Sequence, residues 1–75
     1  MSTKQLEIEM ATKGEQHARA GGKLVPFELQ HIDAEIFGFI KSAGLVGIET
    51  FRAYNRLRGA FNDGWTRVYL ATIFA

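Results

Sequence analysis

Apolar and polar residues alternate at the start of the chain: Leu6, Ile8 and Met10 interleave with Glu7, Glu9 and Ala11, the period-2 pattern of a strand with one wet face. The pattern predicts a strand over 5–11, although Glu, Lys, Gln and Ala are also good helix formers and no turn residue intervenes before Gly14. Residues 12–23 are polar and small and contain Gly14, Gly21 and Gly22, so they read as a mobile loop. Residues 23–32 fit two elements. Phe27, Leu29 and His31 alternate with Glu28 and Gln30 as in an edge strand, whereas Pro26 equally suits the first turn of a helix.

The middle of the chain is better punctuated. Asp33 can act as an N-cap, and Ile32 and Phe37 flank it as a hydrophobic staple. Helical spacing then gathers Ile36, Phe39, Ile40 and Ala43 on one face. Gly44 supplies a left-handed ending, from which Leu45 returns to Ile40 in a Schellman motif, so a helix is expected over 33–43. A second helix opens at Ile48, with Gly47 as a permissive N-cap, Val46 and Phe51 as a staple, and Glu49 in the first turn. Its apolar side is Ala53, Tyr54, Leu57 and Phe61. The opposite side carries Arg52, Asn55, Arg56 and Gly59, with Phe51 and Arg58 flanking them.

Asn62-Asp63-Gly64 reads as a helix stop or a tight hairpin turn, and 65–74 as a final strand, with Trp65, Arg67, Tyr69 and Ile73 on one face and Val68, Leu70 and Phe74 on the other. A strand that is apolar on both faces must be covered twice. These pieces define an α+β expectation: one small two-layer domain over 1–75, with an antiparallel sheet (an N-terminal strand or hairpin plus the C-terminal strand) packed on two short helices. A second architecture makes the helix pair a helix-turn-helix, with 57–61 and 65–69 as its wing. The match is partial, since Thr50 and Ala53 stand where a recognition helix offers larger branched residues to its core.

Length and composition then limit the function. Seventy-five residues, 47% of them apolar and six of them Phe, suffice for a folded core. A single core of that size supplies only about 3–5 kcal/mol, which makes homo-oligomerisation or a bound partner an expectation. With no cysteine there is neither a disulfide framework nor a thiolate metal site, which fits a cytoplasmic setting. Lys4, Glu7 and Glu9 break any secretory-signal core, and Lys41, Glu49, Arg52 and Arg67 interrupt the apolar half before a bilayer could be spanned, so no membrane role is expected.

Candidate chemistry is thin. His17 reads as a solvated loop histidine and His31 as a hydrogen-bonding residue beside a helix start, and neither has a ligand-spaced neighbour. Ser2 and Ser42 lack a nucleophile setting, nothing fixes Glu28 and Glu35 as a carboxylate pair, and Gly21-Gly22-Lys23 is too little for a phosphate loop. No catalytic residue, cofactor or metal is therefore expected, and the chain is not expected to be an enzyme. The strongest signal is the basic stripe. Arg52 and Arg56 lie one turn apart, so both guanidinium forks can reach one phosphate backbone or one acidic cluster on a partner protein. Together with Phe51, Asn55 and Arg58 they form the expected partner-binding surface, with Trp65 and Tyr69 as the second candidate. The expected function is a small non-enzymatic module that binds a protein, of the inhibitor, adaptor or host-factor-modulator kind that phages and other mobile elements encode. The alternative is a winged-helix regulator that binds DNA.

Overall fold

The computed structural model describes residues 3–74. They form three α-helices, α1 (Thr3–Arg19), α2 (Gln30–Ser42) and α3 (Ile48–Ile73), with a short 3₁₀ turn over Pro26–Leu29 leading into α2. Among the described residues there is no strand, so the α+β expectation is overturned in favour of a three-helix bundle. The winged-helix architecture falls with it, because the residues assigned to its wing lie inside the single helix α3.

The N-terminal alternation is a fragment of a helical repeat. Leu6 and Met10, four residues apart, are buried together with Gly14, while Ile8 between them is exposed. Three alternating positions satisfy either period, and only the continuation to Gly14 separates them. The stretch assigned to a mobile loop is accordingly helical as far as Arg19. It ends in a Schellman motif, with Gly22 N–H donating to the His17 carbonyl (2.8 Å), Gly21 N–H donating to that of Ala18 (3.0 Å), and Gly21 at a positive φ of 81°. Pro26 takes the helical arm of its ambiguity, at the first position of the 3₁₀ turn.

Helix α2 starts earlier than its sequence suggests, so Asp33 lies in the first turn and caps nothing. Of the residues assigned to the staples, Ile32 is buried while Phe37 is largely exposed, and Val46 and Phe51 are both exposed. The C-terminal ending is as the sequence indicates. Leu45 N–H donates to the Ile40 carbonyl and Gly44 N–H to that of Lys41, each at 3.2 Å, with Gly44 at φ 70°.

The bundle is organised around α3, whose 26 residues span ~39 Å at 1.5 Å per residue, close to the 42 Å long axis of the molecule. Helix α1 lies parallel to it: Glu7 meets Arg56, Gly14 meets Phe61 and Trp65, and Glu15 meets Arg67. Helix α2 runs back, pairing Asp33 with Arg58 and stacking Phe37 on Tyr54. Leu6 and Met10, then Leu29, Ile32, Ile36 and Ile40, and finally Ala53, Leu57 and Phe61 make one core.

The α1–α3 crossing explains why the expected turn at 62–64 is absent. A Cβ on Gly64 would fall on the carbonyl oxygen of Ala11, and one on Gly14 would fall on that of Phe61. Two glycines, one on each helix, let the backbones touch, a geometry that also permits Cα–H to carbonyl contacts. Gly64 is therefore held in the helix by packing although glycine costs a helix interior ~1 kcal/mol relative to alanine. Beyond it the chain stays helical as far as Ile73. Helix α1 has ended by this level, which leaves Tyr69, Leu70, Ile73 and Phe74 exposed. The doubly apolar run is thus the uncovered end of a helix. Among the described residues no helix is long and apolar enough to cross a membrane.

Candidate interaction surface

The residues expected to act together on α3 are distributed among three surroundings. Arg58 turns toward α2, where its Nη1 donates to Asp33 Oδ1 at 2.6 Å and to the Tyr54 hydroxyl at 3.2 Å. Tyr54 in turn donates to the same carboxylate oxygen at 2.9 Å. Burial, then the hydrogen bond to Asp33 and the negative charge of Asp33, push the Tyr54 hydroxyl above its usual pKa, with Arg58 opposing the shift. Arg58 is consequently a fastener between helices. Its Nε and, one turn on, Asn62 Oδ1 are buried without a hydrogen-bond partner.

Arg56 faces the other way, with its Nε 2.7 Å from Glu7 of α1. Arg52 is looser, with its Nη1 3.8 Å from Glu49 one turn earlier. These two arginines and Glu49 line an open groove of about 480 Å³ with Thr3, Leu45 and Ala53, where α1 and α3 both begin. Arg67 completes the set by pairing with Glu15 at 3.4 Å. Every arginine of α3 therefore has a carboxylate within ion-pair distance, and the stripe that looked basic in one helix is neutralised by its neighbours. Apart from Glu49, the carboxylates responsible sit on α1 and α2, beyond the reach of any reading of α3 by itself.

Trp65 and Tyr69 remain together, with ring centroids 4.7 Å apart in a stacked pair. Trp65 is half-buried and anchors the inter-helix connection, its Nε1–H donating to the Gly22 carbonyl at 2.8 Å. His17 serves the same connection. Far from being a solvated loop residue, it sits in the last turn of α1 against Phe61, with Nε2 2.9 Å from the Lys23 carbonyl. An acceptor at that position, with Glu28 Oε1 3.7 Å away, requires the proton on Nε2. Glu28 also accepts from Lys23 N–H, whereas Glu35 pairs with Lys13, so the two carboxylates have separate partners. His31 is exposed near the start of α2, and Ser2 lies outside the described residues. Among the described residues no group of three His, Cys, Asp or Glu side chains is arranged to hold a metal ion.

Sequence reasoning underrated the apolar side chains left in water. Ile48 and Phe51 at the start of α3, with Val46 before them, are exposed at one end of the molecule. Tyr69, Leu70, Ile73 and Phe74 are exposed at the other, where Phe27 of the 3₁₀ turn is 82% exposed. Between these ends the outer face of α3 carries Asn55, Gly59 and Thr66, and it lies opposite the buried Ala53, Leu57, Phe61 and Gly64. Beyond Phe51 and Tyr69, already named from the sequence, the signal for the second of these clusters was the run 68–74, which is free of charge.

No family model, curated protein or solved structure matches this chain. The architecture of the described residues defines its class, a small three-helix domain.

Proposed function

We propose that this chain is a small non-enzymatic interaction module, acting in the cytoplasm, that binds a protein through the outer face of α3. It fits the inhibitor, adaptor or host-factor-modulator kind, an analogy that rests on size and on the thin catalytic chemistry of the sequence. One observation carries the reading: a folded 75-residue chain keeps Ile48, Phe51, Tyr69, Leu70, Ile73 and Phe74 in water on and beside its longest helix. Apolar and aromatic groups rimmed by polar ones are the composition of protein interfaces. Among the residues expected to bind, Phe51, Arg52, Asn55 and Tyr69 belong to this face. Arg56 stands at its flank, and Arg58 and Trp65 act by holding the helices and the inter-helix connection.

Nucleic acid is the less supported partner. Phosphate binding needs cations free to displace counterions, and the α3 arginines already have carboxylate neighbours. The test is affinity capture from host lysate with and without nuclease, comparing wild type with Phe51→Glu and Ile73→Glu. A nuclease-resistant partner lost in both variants is expected. Recovery that needs intact nucleic acid, or that both variants retain, overturns the proposal.

A further inference from the structure

The outer face of α3 is self-complementary about its own midpoint. Steps of four and three residues along it lead from Ile48 to Ile73, and side chains equidistant from the centre suit one another across an antiparallel pair. Ile48 and Ile73 are the outermost pair, 65% and 51% exposed. Arg52 is mirrored by Tyr69, Asn55 by Thr66, and Gly59 by Asn62. From this pattern we propose that the partner of the face is a second copy of the chain, packed antiparallel along α3 about a two-fold axis between Gly59 and Asn62. The inference rests on the protein-binding reading above and names its partner.

A two-fold axis needs each residue to suit the one at its mirrored position, because an isologous interface brings residue i to j and j to i. In this register each Ile48 meets the second copy's Ile73. Each Arg52 guanidinium lies over the ring of the other Tyr69, a cation–π contact. The Asn55 amide stands opposite the other Thr66 hydroxyl. At the centre, Gly59 has open space where a side chain would be, which lets the two helix backbones approach each other. Charge agrees with the same axis. Arg56 and Asp63 share one flank of α3, and antiparallel packing sets like flanks side by side, so Arg56 of each copy comes beside Asp63 of the other. A seam ~39 Å long and about one helix diameter wide covers roughly 400 Å² on each copy, about half of the ~800 Å² per partner of a standard interface and in the range of a weak, concentration-dependent dimer.

The experiment is sedimentation velocity over a concentration series on wild type, Ile48→Lys, Ile73→Glu and an equimolar mixture of the two variants, with circular dichroism confirming that each is folded. Both side chains are exposed, so neither change disturbs the core. The wild type is expected to reach twice the chain mass, and each variant alone to remain at one chain mass. The mixture is expected to regain the dimer, because the introduced ammonium then faces the introduced carboxylate at one end while Ile73 faces Ile48 at the other. A wild type that stays at one chain mass throughout, variants that dimerise as wild type does, or a mixture that stays at one chain mass each overturns the inference. Such a failure is distinguishable from failure of the protein-binding reading, which is decided by capture from lysate.

Discussion

Gly64→Ala puts the α1–α3 crossing to the test because two effects of opposite sign compete at one atom. In an isolated helix the added methyl stabilises by ~1 kcal/mol. In the bundle that methyl lands on the Ala11 carbonyl oxygen, with the Ala11 carbonyl carbon and Cα next nearest. These are backbone atoms of a packed helix and cannot rotate away, so α1 must move outward from α3. Overpacking of this kind costs typically 1–3 kcal/mol, and a rigid backbone neighbour places it at the upper end. Separation also loosens Leu6 and Met10 from Leu57 and Phe61. Offsetting the propensity gain, the expected net loss is about 2 kcal/mol, a large share of the about 3–5 kcal/mol available to a domain of this size. Urea and thermal unfolding followed by circular dichroism measure it, and at roughly 4–8 °C per kcal/mol the midpoint should fall by about 8–16 °C. Gly38→Ala is the control: it meets nothing within 4 Å on the exposed side of α2 and should gain about 0.5–1 kcal/mol. Gly14→Ala should resemble Gly64→Ala. The double variant should cost less than the sum, because the first methyl has already parted the helices. A Gly64→Ala protein as stable as wild type, with Gly38→Ala behaving as stated, would refute the argument.

Other consequences follow from single contacts. Asp33→Ala leaves Arg58 half-buried without its carboxylate and should cost about 2 kcal/mol in the same unfolding assay. Glu7→Ala frees an Arg56 side chain that is 67% exposed and should cost less than ~1 kcal/mol. Trp65→Phe removes the donor to Gly22 and should cost ~1 kcal/mol and speed amide exchange over 21–24, whereas unchanged protection there would deny the anchor. The Tyr54 phenol should titrate above the ordinary tyrosine value of ~10 in an ultraviolet phenolate titration, and Asp33→Ala should bring it down. Because the folded-state pKa of Tyr54 is the raised one, its contribution to stability is complete below the ordinary tyrosine value of ~10 and is lost as pH rises through the folded value.

The elements legible in the sequence were those with explicit punctuation. Gly44 and Leu45 end α2 as their residue types dictate, Gly47 precedes α3, and Ile36, Ile40, Ala53, Leu57 and Phe61 are buried where helical spacing puts them. The two ends of the chain were misread for different physical reasons. Leu6, Ile8 and Met10 are too few to distinguish periods of 2 and 3.6, and the run 68–74 has so few polar positions that it carries no period at all. Gly14 and Gly64 looked like breaks because glycine usually is one locally. Their role as the point of backbone contact exists only when both helices are present. The site suffered likewise: the side of Arg52, Arg56 and Arg58 on α3 follows from spacing, but the carboxylates that pair Arg56 and Arg58, Glu7 and Asp33, arrive from elsewhere in the chain.

The parallel embrace of α1 and α3 has a consequence for how the molecule comes into being. Its contacts join helices far apart in sequence, as with Glu15 of α1 and Arg67 of α3, which are 52 residues apart. Most small helical bundles fold fast because their contacts are local, and this one must close a long loop before its central crossing gives any return. During synthesis α1 and α2 emerge with Leu6, Met10, Ile32, Ile36 and Ile40 only partly covered, because Leu57 and Phe61, which complete their core, and Gly64 at the helix crossing leave the ribosome later. The domain should therefore acquire its structure in one late step, and a chain truncated before Gly64 should remain unfolded however intact its first two helices are.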